Sequence, residues 1–264
     1  MIIKWFLAPF THRTLFWGFA SQEIKARYAG SFGGILWSVL TPLANLLIFI
    51  FLFSVVFKVR LKPMESGTDS FVLFLMAGLL PWITFSESVS ASTGMFLSKA
   101  NLITKVAFPL EVVPLASILV SFLLNGLGFI LFLIYLAIEG YCHVTWLFLP
   151  VITAIFMVFT LGIVILVASL SIFIRDIQQV ISSLMTLWMY LTPILYPINM
   201  VPESYRIYLR LNPVTPFIEL YHSVLLQHVV CYDLLGQAAC FAAISFLAGV
   251  WFYSKSRNAF ADVL

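Results

Sequence analysis

One carboxylate in this chain, that of Glu87, lies within a long apolar run of the sequence. Glu87 is part of the segment TFSESVSASTG, inside a long apolar run, with Ser86 and Ser90 close to it on a helix. An ionisable side chain in such a run is costly and generally marks a substrate or ion pathway. The residues leave two interpretations open. Glu87 either belongs to a polar pathway or lies in a helix-packing seam, where a neighbouring helix supplies its partner.

Basic residues near the apolar runs could hold an anionic ligand. Lys25 and Arg27 precede GSFGGILWSVLTP, whose glycines allow a surface helix to bend into an apolar one. Both side chains could contact lipid phosphates or an anionic substrate while Trp37 lies at headgroup depth. Arg175 and Asp176 form a second charged site, which either anchors a helix end or forms a salt bridge across the mouth of a conduit.

The sequence lacks the motifs of catalysis and nucleotide binding. It contains no GxxxxGK[ST] loop and no HExxH, GxSxG or CxxC motif. His222 and His228 are six residues apart and would lie on different faces of a helix, which favours surface residues over a metal site with Cys231 and Asp233. We therefore expect no catalytic site and no cofactor in this chain, and its energy source must be a partner.

The composition is that of an integral membrane protein. Of the 264 residues, 62% are hydrophobic and 9% are charged, whereas soluble domains carry about 25% charged residues. The sequence has no internal repeat or linker, so residues 1–264 are interpreted as a single membrane domain. Cys142 and Cys231 both fall in predicted outer segments, which leaves a disulfide between them open.

Six apolar runs are long enough to cross a bilayer as helices, because a hydrocarbon core about 30 Å thick needs about 20 residues. They are residues 35–57, 71–95, 112–138, 146–174, 177–198 and 235–254. Arg175 and Asp176 would be costly at the bilayer centre, so a tight turn must separate the fourth run from the fifth. With the N-terminus inside, nine Lys and Arg residues fall in inner segments and five in outer ones, which favours cytoplasmic termini.

A short amphipathic segment follows the second run. In residues 98–105, Leu102 and Ile103 form an apolar tip, and Lys99 and Lys105 flank it. Such a segment is suited to docking in a groove of a cytoplasmic partner.

A second amphipathic segment, residues 199–222, separates the fifth and sixth runs. The break at Asn212-Pro213 predicts two short helices, which dip into the outer leaflet, lie flat on the surface or form an ordinary loop. Aromatic side chains of the fifth run could line a pathway, because their ring faces can stack on sugar C–H surfaces; these are Trp188, Tyr190 and Tyr196.

Taken in order, these segments resemble the permease subunit of type-2 ABC exporters, in the branch that exports lipid-linked polysaccharides such as O-antigen. The similar segments cover nearly the whole chain and read RYAGSFGGILWSVLTP, GLLPWITFSES, NLITKVAFPLEVVP, IFIRDI, LTPILYPINMVPESYRIYLRLNPVTPFIELY and FADVL. His222 departs from the resemblance, which leads us to expect an arginine there.

The resemblance implies an all-helical membrane domain of six spans that works as a homodimer with two copies of a separate ATPase subunit, which would bind ATP and Mg²⁺. Residues 14–30 would form an interface helix on the cytoplasmic surface, where Glu23 and Arg27 pair at i,i+4. Residues 199–222 would form outer gate helices. Residues 98–105 would form the coupling helix that seats in the ATPase, through Lys99, Asn101, Leu102, Ile103 and Lys105.

The implied function is ATP-driven export of an undecaprenyl-pyrophosphate-linked polysaccharide, with O-antigen as the first expectation, across a bacterial inner membrane. Lys25, Arg27 and Arg175 would attract the pyrophosphate. The polar pathway and gate would comprise Asp176, Glu87, Ser86, Ser90, Trp188, Tyr190, Tyr196, Arg206 and Arg210. The alternative is a type-2 permease for teichoic acid, capsule or a small lipophilic drug. A membrane enzyme of glycan synthesis would need a histidine or an acidic pair near the spans, and Glu87 alone is a poor candidate.

Overall fold

The computed structural model describes residues 2–99, 109–174 and 176–263, and within these ranges the regular structure is helical without a β-strand. The first half contains α1 (Ile2–Thr11), α2 (Arg13–Tyr28), α3 (Trp37–Phe49), α4 (Phe71–Ser92) and α5 (Val112–Ile138). The second half contains α6 (Leu149–Phe173), α7 (Ile177–Tyr190), α8 (Glu203–Leu211), α9 (Thr215–His222) and α10 (Tyr232–Ser256). A π-helix, Ile50–Val56, extends α3.

Within the described ranges, five helical segments are long and apolar enough to cross a membrane. They are Trp37–Val56, Phe71–Ser92, Val112–Ile138, Val144–Phe173 and Tyr232–Ala259. Their lengths follow from the continuous apolar runs of the sequence, because a helix satisfies its own backbone hydrogen bonds in lipid. Five of the six predicted spans are thus present as helices of membrane length.

The predicted span at residues 177–198 is not confirmed. The helix in this region, α7, has 14 residues and is about 21 Å long, which is shorter than a hydrocarbon core of about 30 Å. Pro193 and Pro197 follow its end, and proline cannot donate the backbone hydrogen bond that would continue the helix. The chain turns at this point instead of continuing as a helix.

The core of the bundle lies between α4, α6, α9 and α10. The helices α6 and α10 pack backbone to backbone, because Gly162 faces Ser245 and Gly249 faces Gly162, with no space for a side chain at either glycine. Aromatic rings fill the space between the other helices. Phe217 of α9 lies 4.8 Å from Phe156 and 5.0 Å from Phe159, measured between ring centroids.

Helix α3 is attached to the bundle over a small area. In the most apolar 18-residue stretch of the segment Trp37–Val56, only 6% of the residues are buried, against 78% in the corresponding stretch of α4. Pro42 lies against Gly128 of α5, where a methyl group on the glycine would lie 2.6 Å from Cγ of the proline. The absence of a side chain at Gly128 therefore allows α3 to approach α5.

Helix α2 packs along the first half of α5, and we call this end of the bundle the α2 end. Phe16 and Ala20 of α2 are buried against Val112, Ala116 and Val120. The helix predicted at residues 14–30 is therefore present at Arg13–Tyr28 as an element packed on the bundle. Of the segment 98–105, the described residues 98 and 99 form part of a 3₁₀ turn, Leu97–Lys99, and the remainder lies outside the described residues.

Two short helices, α8 and α9, lie on either side of Asn212-Pro213, where the sequence predicts them. Helix α9 is buried almost throughout and contacts α4, α6 and α10. Helix α8 buries Leu209 and exposes most of its other side chains.

Candidate functional site

A network of polar side chains joins the last turn of α2 to α4 and α5. The guanidinium of Arg27 donates from Nη1 to Glu87 Oε1 of α4 and from Nη2 to Ser121 Oγ of α5, the latter at 2.6 Å. Its Nε lies 3.8 Å from Glu23 Oε1, one turn earlier on α2. Asn125 of α5 donates from Nδ2 to the second carboxylate oxygen of Glu87 at 2.6 Å. Glu87 therefore has partners on two neighbouring helices, as in the packing-seam interpretation.

Sequence reasoning missed the contribution of α5 to this network. Ser117, Ser121 and Asn125 follow one another at intervals of four residues and so share one face of the helix. Ser117 Oγ donates to Glu23 Oε1 at 3.5 Å, so all three side chains reach the network. The signal was present as a polar stripe in an otherwise apolar run.

A cavity of about 260 Å³ lies beside this network, under α3. Side chains from α2, α3, α4 and α5 line it. Its polar lining consists of Arg27, Tyr28, Trp37, Ser38, Thr41, Asn45, Glu87 and Asn125. Its apolar lining consists of Pro42, Met76, Leu79, Leu80, Ile83 and Leu124. The side chain of Glu87 is 41% exposed, so part of its carboxylate faces this space.

The other predicted polar residues near Glu87 remain accessible. Lys25 and Ser90 are exposed and Ser86 is half-buried. Lys99, predicted to contact a partner, places its ammonium group 5.3 Å from the ring centroid of Phe19 on α2. Arg175, Asn101, Leu102, Ile103 and Lys105 lie outside the described residues.

Trp188, at the end of α7, is tied to the turn between α8 and α9. Its Nε1 donates to Asn212 Oδ1 at 2.8 Å, and the Asn212 amide donates to Thr192 Oγ1 at 2.9 Å and to the Leu191 carbonyl at 3.2 Å. The Trp188 ring also meets Phe85 of α4 edge-on, with centroids 5.6 Å apart. Trp188 is thus a structural anchor of this turn, in addition to any role in a pathway.

The other predicted gate residues do not form one cluster with this anchor. Tyr190 is exposed and its carbonyl accepts a hydrogen bond from Tyr196 at 3.1 Å. Arg206 donates to the carbonyls of Val201 and Asn199 and so fixes the loop before α8. Arg210 is exposed on α8, and Asp176 is exposed before α7.

One face of α7 is polar, and no other described part of the chain covers it. At 3.6 residues per turn, five polar side chains fall within about 100° of the helix circumference. They are Gln179, Ser182, Ser183, Thr186 and Tyr190, and all five are exposed. The opposite face, with Ile177, Ile181 and Met185, is buried against the bundle.

The histidines and cysteines do not form a metal site or a disulfide. No group of three potential metal ligands occurs among the described residues, and Cys142 and Cys231 are both unpaired. His222 is buried, donates from Nε2 to the Phe74 carbonyl at 3.0 Å and stacks on the Phe74 ring. A methyl group on Gly78 would lie 2.9 Å from that nitrogen, so the glycine leaves the space that the imidazole occupies.

These features define a multi-pass helical membrane protein with a polar seam at one end and an uncovered polar helix face. The chain belongs to the ABC-2 type transporter family, which it matches over residues 14–226. It is 34% identical over 262 residues to the O-antigen export system permease protein RfbA of Myxococcus xanthus, with 96% of each chain covered. It is 30% identical to a protein of the same name from Klebsiella pneumoniae, with 92% of each chain covered. Identity to the polysialic acid transport protein KpsM of Escherichia coli is 24%, over 90% of this chain and 92% of the relative.

Proposed function

We propose that this chain is the membrane subunit of an ATP-driven exporter of undecaprenyl-pyrophosphate-linked polysaccharide, with O-antigen as the first candidate. Two copies would assemble with two copies of an ATPase subunit, which binds ATP and Mg²⁺, in a bacterial inner membrane. Membership of the ABC-2 type transporter family supports the general class. The names of the relatives from Myxococcus xanthus and Klebsiella pneumoniae support the substrate.

The polar face of α7 is the observation that carries this proposal. Thr186 Oγ1 donates to the Ser182 carbonyl at 3.3 Å, but five exposed polar side chains on one face are still costly next to lipid tails, so such a face requires water or another polar surface. Ser183 and Thr186 lie at its middle, flanked by the exposed apolar side chain of Leu187. Two copies of the chain that meet through this apolar flank would enclose a polar conduit between their α7 helices.

The depth of the α8–α9 turn supports a hairpin that enters the outer half of the membrane. Phe217 of α9 contacts Phe156 and Phe159, which lie about 10 to 15 Å along α6 from its beginning at Leu149. On α8, Tyr205 and Tyr208 are exposed and one turn apart. Both are aromatic positions that sequence reasoning did not single out, and their ring faces suit sugar surfaces at the outer mouth of the conduit.

At the α2 end, which we place in the cytoplasm, basic residues would meet the pyrophosphate. Lys25 is exposed and needs no rearrangement to bind a phosphate. Arg27 is already paired with Glu87, so a phosphate contact would require it to exchange partners. Arg175 is proposed for the same role from its place in the sequence. Residues 98–105 would transmit the movement of the ATPase at this end.

The first test is the location of lipid-linked glycan after deletion of the gene. Full-length glycan trapped on the cytoplasmic side would support the proposal. Absent or truncated glycan would point to synthesis, and unchanged surface glycan would favour a different cargo, such as a lipophilic drug.

The conduit itself is tested by bulky substitutions on α7. We expect Ser183→Leu and Thr186→Leu to reduce surface glycan strongly while the assembled ATPase continues to hydrolyse ATP. Ile134→Phe, which adds bulk on the exposed face of α5 and away from α7, is the control and should export normally. Normal export in both polar-face variants would contradict a conduit along α7.

A further inference from the structure

We propose that the cavity between α2, α3, α4 and α5 binds the ammonium headgroup of a membrane aminophospholipid. This site goes beyond the export function, because its ligand is a lipid of the surrounding bilayer and not the transported glycan. The proposal rests on the exposed carboxylate of the polar network, the aromatic lining of the cavity and the shape of the cavity.

The carboxylate is the more exposed member of the charged pair in the lining, at 41% against 17% for Arg27, which favours a cation over an anion. Arg27 and Glu87 are the charged residues among those that line the cavity. All three guanidinium nitrogens of Arg27 face protein oxygens, and two of these belong to the carboxylates of Glu23 and Glu87. Glu23 lies outside this lining, in a pocket that Lys99 also lines, so Arg27 and Glu87 balance each other within the cavity itself. Because each carboxylate oxygen of Glu87 accepts a single hydrogen bond and the side chain is 41% exposed, lone pairs remain for an ammonium group.

Two aromatic side chains stand in the same cavity as the carboxylate. Tyr28 ends α2 and Trp37 begins α3, and both line the space that Glu87 faces. The indole of Trp37 is held against the backbone of Gly33, where a methyl group would lie 2.8 Å from Nε1. Aromatic rings combined with a carboxylate form the usual recognition set for primary and quaternary ammonium groups.

Polar side chains of α3 are available to bind the other polar groups of the lipid headgroup. Thr41 and Asn45 lie one turn apart and line the cavity, and their side chains make no hydrogen bond to the part of the chain that the structure describes. An amide and a hydroxyl without partners are suited to phosphate and glycerol-ester oxygens. Their positions continue the polar lining away from Trp37.

The shape of the cavity matches a lipid rather than a small soluble amine. Along α4 it extends from Glu87 to Met76, a distance of about 16 Å on a helix that rises 1.5 Å per residue. The polar end lies near Trp37, and Leu79 and Ile83 supply apolar surface farther along α4. An ammonium group at Glu87 would thus place the first carbons of an acyl chain against these apolar side chains.

The experiment is native mass spectrometry of the full-length chain, purified with its ATPase subunit and exposed to defined lipid mixtures. We expect phosphatidylethanolamine to be retained about tenfold more than its N-acetylated derivative with identical acyl chains, because acetylation removes only the positive charge. Phosphatidylglycerol, as an anionic lipid, should be retained no better than the N-acetylated lipid, and undecaprenyl phosphate should not displace phosphatidylethanolamine. Equal retention of phosphatidylethanolamine and its N-acetylated derivative would overturn the proposal. Displacement of phosphatidylethanolamine by undecaprenyl phosphate would overturn it as well.

Variants test whether the lipid binds in this cavity, and they distinguish a loss of binding from a folding defect. Asn45→Leu should fill the polar part of the cavity and abolish the preference, while the Arg27–Glu87 pair stays intact. Trp37→Leu should weaken retention, and Trp17→Leu, an equally exposed tryptophan outside the lining, should not. Retention unchanged in both cavity variants would place the lipid elsewhere. The glycan-export assay is independent of this readout, so either proposal can fail alone.

Discussion

Arg27 and Glu87, sixty residues apart in the chain, form an ion pair that fastens the end of α2 to α4. The arginine side chain is 17% exposed and the carboxylate is 41% exposed, so water screens the pair only in part. Asn125 and Ser121 hold the two groups from α5. A basic residue that the sequence presents as a free ligand for phosphate is therefore also a structural connection between three helices.

Replacing either partner of this pair should leave the other charge half-buried. We expect Arg27→Ala and Glu87→Gln each to destabilise the protein by about 1 to 2 kcal/mol, a range reduced for partial exposure. The double variant should be destabilised by less than the sum of the two single losses, because the two groups interact directly. Thermal unfolding of the purified complex measures these values, with Lys25→Ala as an exposed control. Strictly additive losses would argue against the pair.

The contact between Pro42 and Gly128 should set the position of α3. A valine at Gly128 would overlap the proline ring, so we expect Gly128→Val to destabilise the protein by about 1 to 3 kcal/mol. Pro42→Ala removes Cγ, the nearest ring atom, while Cβ at 2.9 Å remains, so it should restore part of the loss when the two changes are combined. Unfolding measurements on the single and double variants test this. An absence of rescue would mean that α3 is not fixed at this point.

Asn212 should be the most sensitive residue of the α8–α9 turn. It accepts from Trp188 and from the backbone N–H of Val214 and donates to Thr192 and Leu191. We expect Asn212→Ala to destabilise the turn by about 2 to 3 kcal/mol, since buried groups lose their partners. Trp188→Phe loses one of these bonds and should cost about 1 kcal/mol.

Hydrogen exchange of residues 203–222 measures the local effect of these two variants. Tyr208→Ala, on the exposed face of α8, is the matched control and should leave exchange in this segment unchanged. Equal exchange in Asn212→Ala and the unmodified protein would show that the turn is held by packing alone.

Acidification should weaken the loop cluster at the end of the bundle opposite α2. Burial lowers the pKa of the His228 imidazole below its ordinary value of 6.5, and the nearby His143 lowers it further. The two rings lie 4.7 Å apart, and Tyr141 also faces His228. As the pH falls below 6.5, the unfolded chain binds the proton first, so stability falls until the folded-state pKa is passed.

His228→Asn should flatten this dependence of the unfolding temperature on pH. Measurements on both proteins from about pH 7.5 to pH 5 span the ordinary histidine pKa. An identical slope in the two proteins would mean that His228 makes no net contribution to it.

The long helices were predictable because each depends on a local property of the sequence. A run such as 112–138 is apolar over its whole length and must be helical to satisfy its backbone in lipid. Its predicted bounds agree with those of α5, and the predicted break at Asn212-Pro213 agrees with the gap between α8 and α9. The fifth run is not confirmed as a span, since its composition is apolar while its helix has 14 residues and is followed by Pro193 and Pro197.

The partners of the polar residues were not predictable in the same way. Sequence identified Glu87 as an acid in an apolar run and Arg27 as a base near a membrane surface, but their pairing depends on how α2 lies across α4 and α5. The stripe of Ser117, Ser121 and Asn125 was visible as a pattern, although nothing in the pattern says which helix it faces. Such contacts join residues far apart in the chain.

The sequence by itself determined that this protein is helical, that it is built from apolar segments of membrane length, and which segments are amphipathic. Those properties follow from the hydropathy and backbone chemistry of consecutive residues. The tertiary structure alone decided that the polar face of α7 is left uncovered, and that Arg27 pairs with Glu87. It also decided that a cavity with a carboxylate and two aromatic rings lies under α3. These features arise from packing between helices, where a glycine such as Gly128 decides which surfaces can meet.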